Sequence, residues 1–190
     1  MKFPVILAAS LVVLSVFCQA AEVPASATAT PTPRRSELIL DMVHHNPGEK
    51  LTESKFEDPQ VVRETGYNGK VYFLFDSPTL AVNWESVDPA ILPKGSPDRE
   101  WVDQKAARID AQHAACKAAG LKVYAMGDLV LFPKRLIEKY KMAKTFGDPQ
   151  DPQTAKFLRL LVGQVFDRFP NLDGLVVRIG ETYMEDAPYL

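Results

Sequence analysis

Cysteine is nearly missing from this 190-residue chain, which has only Cys18 and Cys116. Cys18 lies in the N-terminal segment described below. That leaves Cys116 as a lone thiol, which excludes an internal disulfide framework. Its place inside a helical pattern marks it as a buried, inert group rather than a nucleophile. An excess of positive charge is missing too: 22 Lys and Arg stand against 24 Asp and Glu, for a formal net charge of −2. This excludes the basic footprint by which a protein binds nucleic acid, and gives no reason to expect an anionic membrane surface as a partner. No glycine-rich phosphate loop follows the first apolar run, where a dinucleotide site would need one. No pair of strand-like runs is joined by a tight hairpin, which disfavours an antiparallel sandwich. The most apolar stretch, Val5 to Phe17, is too short for a comfortable membrane span and lacks a charged stop.

The balance that remains, 46% hydrophobic and 24% charged, is that of a globular protein with enough apolar surface for one core. Residues 1–21 read as a signal peptide: the basic start Met1-Lys2, the apolar run to Phe17, and small residues for cleavage after Ala20 or Ala21. The expected location is therefore secreted or periplasmic, with no membrane association beyond that signal. Residues 22–36, rich in Ala, Thr and Pro, form a flexible leader. Structure is expected from Glu37 onward, as a single domain over 37–190.

Within that domain four apolar runs read as strands buried on both faces: Leu38–Val43, Lys70–Phe75, Leu121–Met126 and the run after Leu172. Helices are expected between them. Asp58 and Pro59 open one that ends before Gly66, and Ser96 and Pro97 open a second that ends at Gly120. In the second, Val102, Ala106, Ile109, His113 and Cys116 recur at spacings of four and three, which makes one buried face. Arg135–Lys144 predicts a short extra helix. Thr154–Phe169 predicts another, with Leu158, Leu161, Val165 and Phe169 on its buried side. The long connection from Asp76 to Gly95 holds Trp84 and several prolines, and a loop of that length points to a function.

The order β-α-β-α-β-α-β implies an α/β fold with a parallel sheet. Polar residues at the carboxyl ends of all four strands favour a (β/α)8 TIM barrel over a doubly wound sheet, because a barrel carries its active site on that face. A whole barrel needs about 250 residues. The expectation is thus a partial barrel of about four parallel strands with crossover helices, the N-terminal half, whose missing C-terminal half is its implied partner.

The richest strand end is Arg178-Ile179-Gly180-Glu181-Thr182-Tyr183. Glu181 is the leading catalytic candidate, since a carboxylate beside Arg178 and Tyr183 has partners that set its protonation. Side chains alternate along a strand, so Arg178 faces the barrel interior, and Glu181 reaches the same site only through a bend at Gly180. Asp76 and Asp128 end the second and third strands, where each either holds a ligand group or caps a loop. Trp84 is either a stacking platform for a ligand ring or a clasp that pins its loop to the body. His44, His45 and Asn46 close the first strand. Adjacent histidines point to opposite faces, so a metal ion shared between them is not expected, and His45 is the better placed of the two to meet a ligand. No cofactor is implied.

The segment Asp173–Tyr183, in a secreted half-barrel layout, resembles the barrel glycoside hydrolases that place an acid/base glutamate at the end of the fourth strand. Glycoside hydrolysis needs two carboxyls across the scissile bond, roughly 5 Å apart for retention and further for inversion. In that group the nucleophile comes from a later strand. The chitinase-like pattern Asp-Gly-x-Asp-x-Asp-x-Glu also begins at Asp173-Gly174, but Val176, Arg178 and Gly180 stand at its acidic positions, so a substrate-assisted mechanism is not implied. The resemblance implies an oligo- or polysaccharide substrate, Glu181 as general acid/base, and Arg178, Tyr183, Asp128, Asp76, His45, His44, Asn46 and Trp84 as sugar contacts. Two other readings stay open: a non-catalytic carbohydrate-binding or surface domain on the same scaffold, and a metal-dependent barrel hydrolase using the histidines of the first strand.

Overall fold

A computed structural model describes residues 37–42, 55–178 and 188–189. All of them lie in the second of the two units into which the chain divides, residues 36–190. Local chemistry sets the helix ends. Helix α1, Pro59–Glu64, starts where the Asp58 carboxylate accepts from the Gln60 amide, and Gly66 follows it at φ +97°. Helix α2, Pro97–Ala118, is capped by Ser96 Oγ, which accepts from the Arg99 amide, and Gly120 takes φ +73° beyond its end. Helix α3, Lys134–Lys139, has no side-chain cap and is shorter than the sequence predicts, because the chain leaves through a left-handed residue, Lys141 at φ 55°. Helix α4, Pro152–Arg168, begins at Asp151, whose carboxylate accepts from the Gln153 and Thr154 amides.

The strands are β1, Leu40–Asp41; β2, Gly69–Tyr72; β3, Lys122–Asp128; and β4, Gly174–Arg178. They form one parallel sheet in the order β1-β2-β3-β4, so the chain is α/β and the strand order runs across the sheet without reversal. Several boundaries depart from expectation. β1 begins only at Leu40, β2 stops at Tyr72 because Leu74–Asp76 coil into a 3-10 turn, and β3 runs on to Asp128.

Alternation divides the sheet into two faces. Tyr72, Val123, Ala125 and Leu175 join one apolar cluster with the buried faces of the helices: Val62 from α1, Ile109 from α2, Leu136 from α3 and Leu161 from α4. The predicted face of α2 is buried in full. On α4 the buried stripe is Thr154, Phe157, Leu161 and Val165, and Leu158 is only half-buried. Side chains of the other parity, including Val71, Tyr124, Met126 and Val176, lie outside that cluster. Among the buried polar groups, Lys70 Nζ sits 2.7 Å from Asp41 Oδ2 and also donates to the Phe56 carbonyl, joining β1 to β2 on the helical side.

The connection from β2 to α2 is packed, not free. Trp84 is fully buried, edge-on to Phe132 and Phe157, and holds φ 59°. Burial of an indole stabilises by several kcal/mol, about 3–5 on truncation to Ala, which outweighs a left-handed backbone cost of roughly 1–3. Arg99, itself buried, donates to Glu85 of the loop and to Asp103 one turn along α2, which ties the loop to the helix.

Candidate functional site

The carboxyl ends of β3 and β4 bring two expected residues together. Asp128 and Arg178 are register partners, each the last residue of its strand. Both fall on the parity that points away from the helical cluster, with Met126 and Val176 before them. That orientation follows from the sequence: Leu175, one parity off, packs into the core, and a guanidinium in its place would be desolvated at high cost. Arg178 Nε lies 3.6 Å from Asp128 Oδ1, close enough to attract but beyond a normal hydrogen bond.

Asp128 is only 4% exposed, and neither of its carboxyl oxygens has a hydrogen-bond partner among the described residues. Burial pushes its carboxyl above the usual carboxylate range, and Arg178 pulls the other way. The loop after β2 closes over the neighbouring backbone. Ser77 Oγ and Thr79 Oγ1 bond each other at 2.8 Å, and Thr79 Oγ1 points to the Asp128 carbonyl at 3.5 Å. This approach requires glycine at 127, where a Cβ would stand 2.5 Å from Ser77 Oγ. Sequence reasoning missed Ser77, Thr79 and Gly127 as supports of the site. The available signal was the small residue before a strand-end acid, Gly127-Asp128.

The other expected residues go elsewhere. The Asp76 carboxylate, in the turn after β2, is turned toward α2, where Oδ2 accepts from Arg108 and Gln112. It latches the turn to the helix. Trp84 presents no ring face to a ligand: of the two roles expected for it, the clasp is the one seen, because Phe132 and Phe157 enclose the indole. His44, His45, Asn46, Glu181 and Tyr183 lie outside the described residues, as does the signal segment. The chain is described again at Pro188 and Tyr189, where the Pro188 carbonyl accepts from the Lys134 amide and Tyr189 is buried against Trp101. Among the described residues, no three His, Cys, Asp or Glu side chains gather as a metal site requires, and no helix is long and apolar enough to cross a membrane.

The chain matches no protein-family model, no curated protein and no solved structure. A buried carboxyl without a hydrogen-bond donor among the described residues, beside a guanidinium at the ends of two parallel strands, can accept hydrogen bonds from hydroxyl groups and fix their orientation.

Proposed function

We propose that this chain is the N-terminal half of a secreted carbohydrate-active hydrolase, built on a (β/α)8 barrel and acting on an oligo- or polysaccharide. The observation that carries this reading is the Asp128–Arg178 pair at adjacent carboxyl strand ends, with the Asp128 oxygens left without hydrogen-bond donors among the described residues. Strand order supports it. A doubly wound sheet binds ligands where its order reverses, whereas a barrel keeps sequential order and binds at the carboxyl face. The described order, β1-β2-β3-β4 with all four helices feeding one cluster, is of the second kind. In this reading the remaining strands complete the barrel and supply the second carboxyl that glycoside hydrolysis needs.

Glu181, three residues beyond Arg178, is the proposed general acid, protonating the leaving oxygen. Arg178 and Asp128 hold the sugar beside it, and Tyr183, His44, His45 and Asn46 are the further contacts. The test compares the full-length protein with Glu181→Gln on a panel of chromogenic glycosides and polysaccharides. Loss of general acid catalysis lowers turnover by about 100- to 10,000-fold on substrates with poor leaving groups. Unchanged turnover would sink the assignment. Sugar binding with no turnover in either protein would replace the hydrolase by a carbohydrate-binding module.

A further inference from the structure

We propose that Tyr189 is a positioning residue, which pins the far end of the segment carrying Glu181 to the connections at the carboxyl face of the sheet. This inference rests on the hydrolase reading above and adds the anchor that would hold its acid in place. Glu181 lies in the span 179–187, and the described residues on both sides of that span are fixed. Arg178 ends β4, in register with Asp128 at the end of β3. Pro188 and Tyr189 meet the connection that follows β3. There Pro133 and Tyr189 form an antiparallel bridge, and the Lys134 amide donates to the Pro188 carbonyl at 2.8 Å.

The side chain makes the stronger anchor. Tyr189 is 2% exposed and joins the apolar cluster that holds Val82, Trp84 and Phe132. Its ring lies 6.1 Å from that of Trp101, tilted by 48°, and its hydroxyl donates to the Val82 carbonyl at 3.4 Å. One residue thus ties the chain beyond β4 to the connections after β2 and after β3. Burial of the ring supplies most of the hold, since 3.4 Å is long for a hydroxyl bond. A chain held at one end keeps conformational freedom that a chain held at both ends has lost. General acid catalysis needs its donor within hydrogen-bond reach of the leaving oxygen, and a misplacement of about 1 Å costs about a hundredfold in rate.

The experiment compares the full-length protein with Tyr189→Ala, Tyr189→Phe and Lys134→Pro. The last removes the amide that holds Pro188 and spares the helix. Residue 134 is the first of α3, where proline is favoured, and Pro133 at ψ 136° is already extended, as the residue before a proline must be. Cleavage by a glutamate-specific protease after Glu181 and Glu185, followed by mass spectrometry, reads the anchor itself. It should quicken about a hundredfold in Tyr189→Ala and about two- to tenfold in Lys134→Pro. Turnover reads the positioning. Tyr189→Ala should lose about a hundredfold in kcat on glycosides with poor leaving groups, keep its rate on activated aryl glycosides, and be rescued in Tyr189→Phe. Lys134→Pro should show the same selective loss to a smaller degree, and it carries the test if Tyr189→Ala fails to fold. Cleavage at the wild-type rate in the variants overturns the anchor and leaves the hydrolase reading standing. Faster cleavage with equal loss on both substrate classes overturns the positioning role alone. A wild type that turns over no glycoside overturns the hydrolase reading and, with it, the role assigned to Tyr189.

Discussion

His113 should make the stability of this protein fall as the solution is acidified, by an amount the structure sets. The ring lies on the buried face of α2, tilted over Tyr72 at 5.7 Å and edge-on to Phe169 at 5.9 Å. Neither ring nitrogen has a hydrogen bond among the described residues. Burial lowers its pKa from 6.5 to about 4, outweighing Asp110, Asp173 and Asp76, which raise it, while Lys117 lowers it further. The folded protein therefore keeps the imidazole neutral at pH 5, where the unfolded chain binds a proton. Between pH 6.5 and 4 the unfolded state holds more protons, so stability rises with pH in that window and is lost as pH falls through it. At pH 5 the loss amounts to roughly 2 kcal/mol, and about 3 kcal/mol once pH falls to the folded pKa. Against a total of about 5–15 kcal/mol for an ordinary domain, that is a large fraction. Urea unfolding at pH 7 and pH 5, followed by tryptophan fluorescence, measures it. His113→Leu keeps an apolar group of similar size, and carboxylates common to both proteins cancel in the comparison. The wild type should lose about 2 kcal/mol more than the variant between the two pH values. Equal losses would refute the reasoning, because they would mean that the imidazole is protonated or hydrogen-bonded in the folded state.

Two further substitutions probe the scaffold. Gly127→Ala places a methyl group against Ser77 Oγ and should destabilise by about 1–3 kcal/mol, with part of that recovered in Gly127→Ala/Ser77→Ala; thermal melts decide, and an unchanged melting point would show that the loop yields freely. Removing one partner of the buried Lys70–Asp41 pair, as in Lys70→Met, should cost about 3–5 kcal/mol, whereas Lys70→Met/Asp41→Leu should come within about 2 kcal/mol of the wild type. A denaturant double-mutant cycle measures the coupling, and additive effects would count against a shared buried pair.

What was legible in the sequence is what is decided locally. The starts of α1 and α2 follow from Asp58-Pro59 and Ser96-Pro97, because cap and first-turn proline act within a few residues. The buried face of α2 follows from spacing alone. On α4 the stripe includes Phe157 and Thr154; the Thr154 hydroxyl can be buried because it donates to the Thr145 carbonyl, a partner that periodicity does not reveal. Trp84 was ambiguous because a residue in an aperiodic loop says nothing about what it packs against, and its partners Phe132 and Phe157 lie far along the chain. For the candidate site, the alternation that turns Arg178 away from the helices was readable. Its meeting with Asp128 was not, since register between strands separated by α3 and α4 is fixed by tertiary packing. The turn of Asp76 toward Arg108 and Gln112 depends likewise on where α2 lands.

Cys116 shows another side of the same packing. Its sulfur is fully buried, 3.2 Å from the Tyr72 hydroxyl, and burial raises its pKa. Folding thus withholds both the thiolate and any route for an oxidant or a second thiol to reach it. Unfolding removes both protections at once, exposing a thiol able to cross-link to other chains before refolding can bury it again. In an oxidising medium the lifetime of active protein would then be governed by how often the molecule opens rather than by its equilibrium stability.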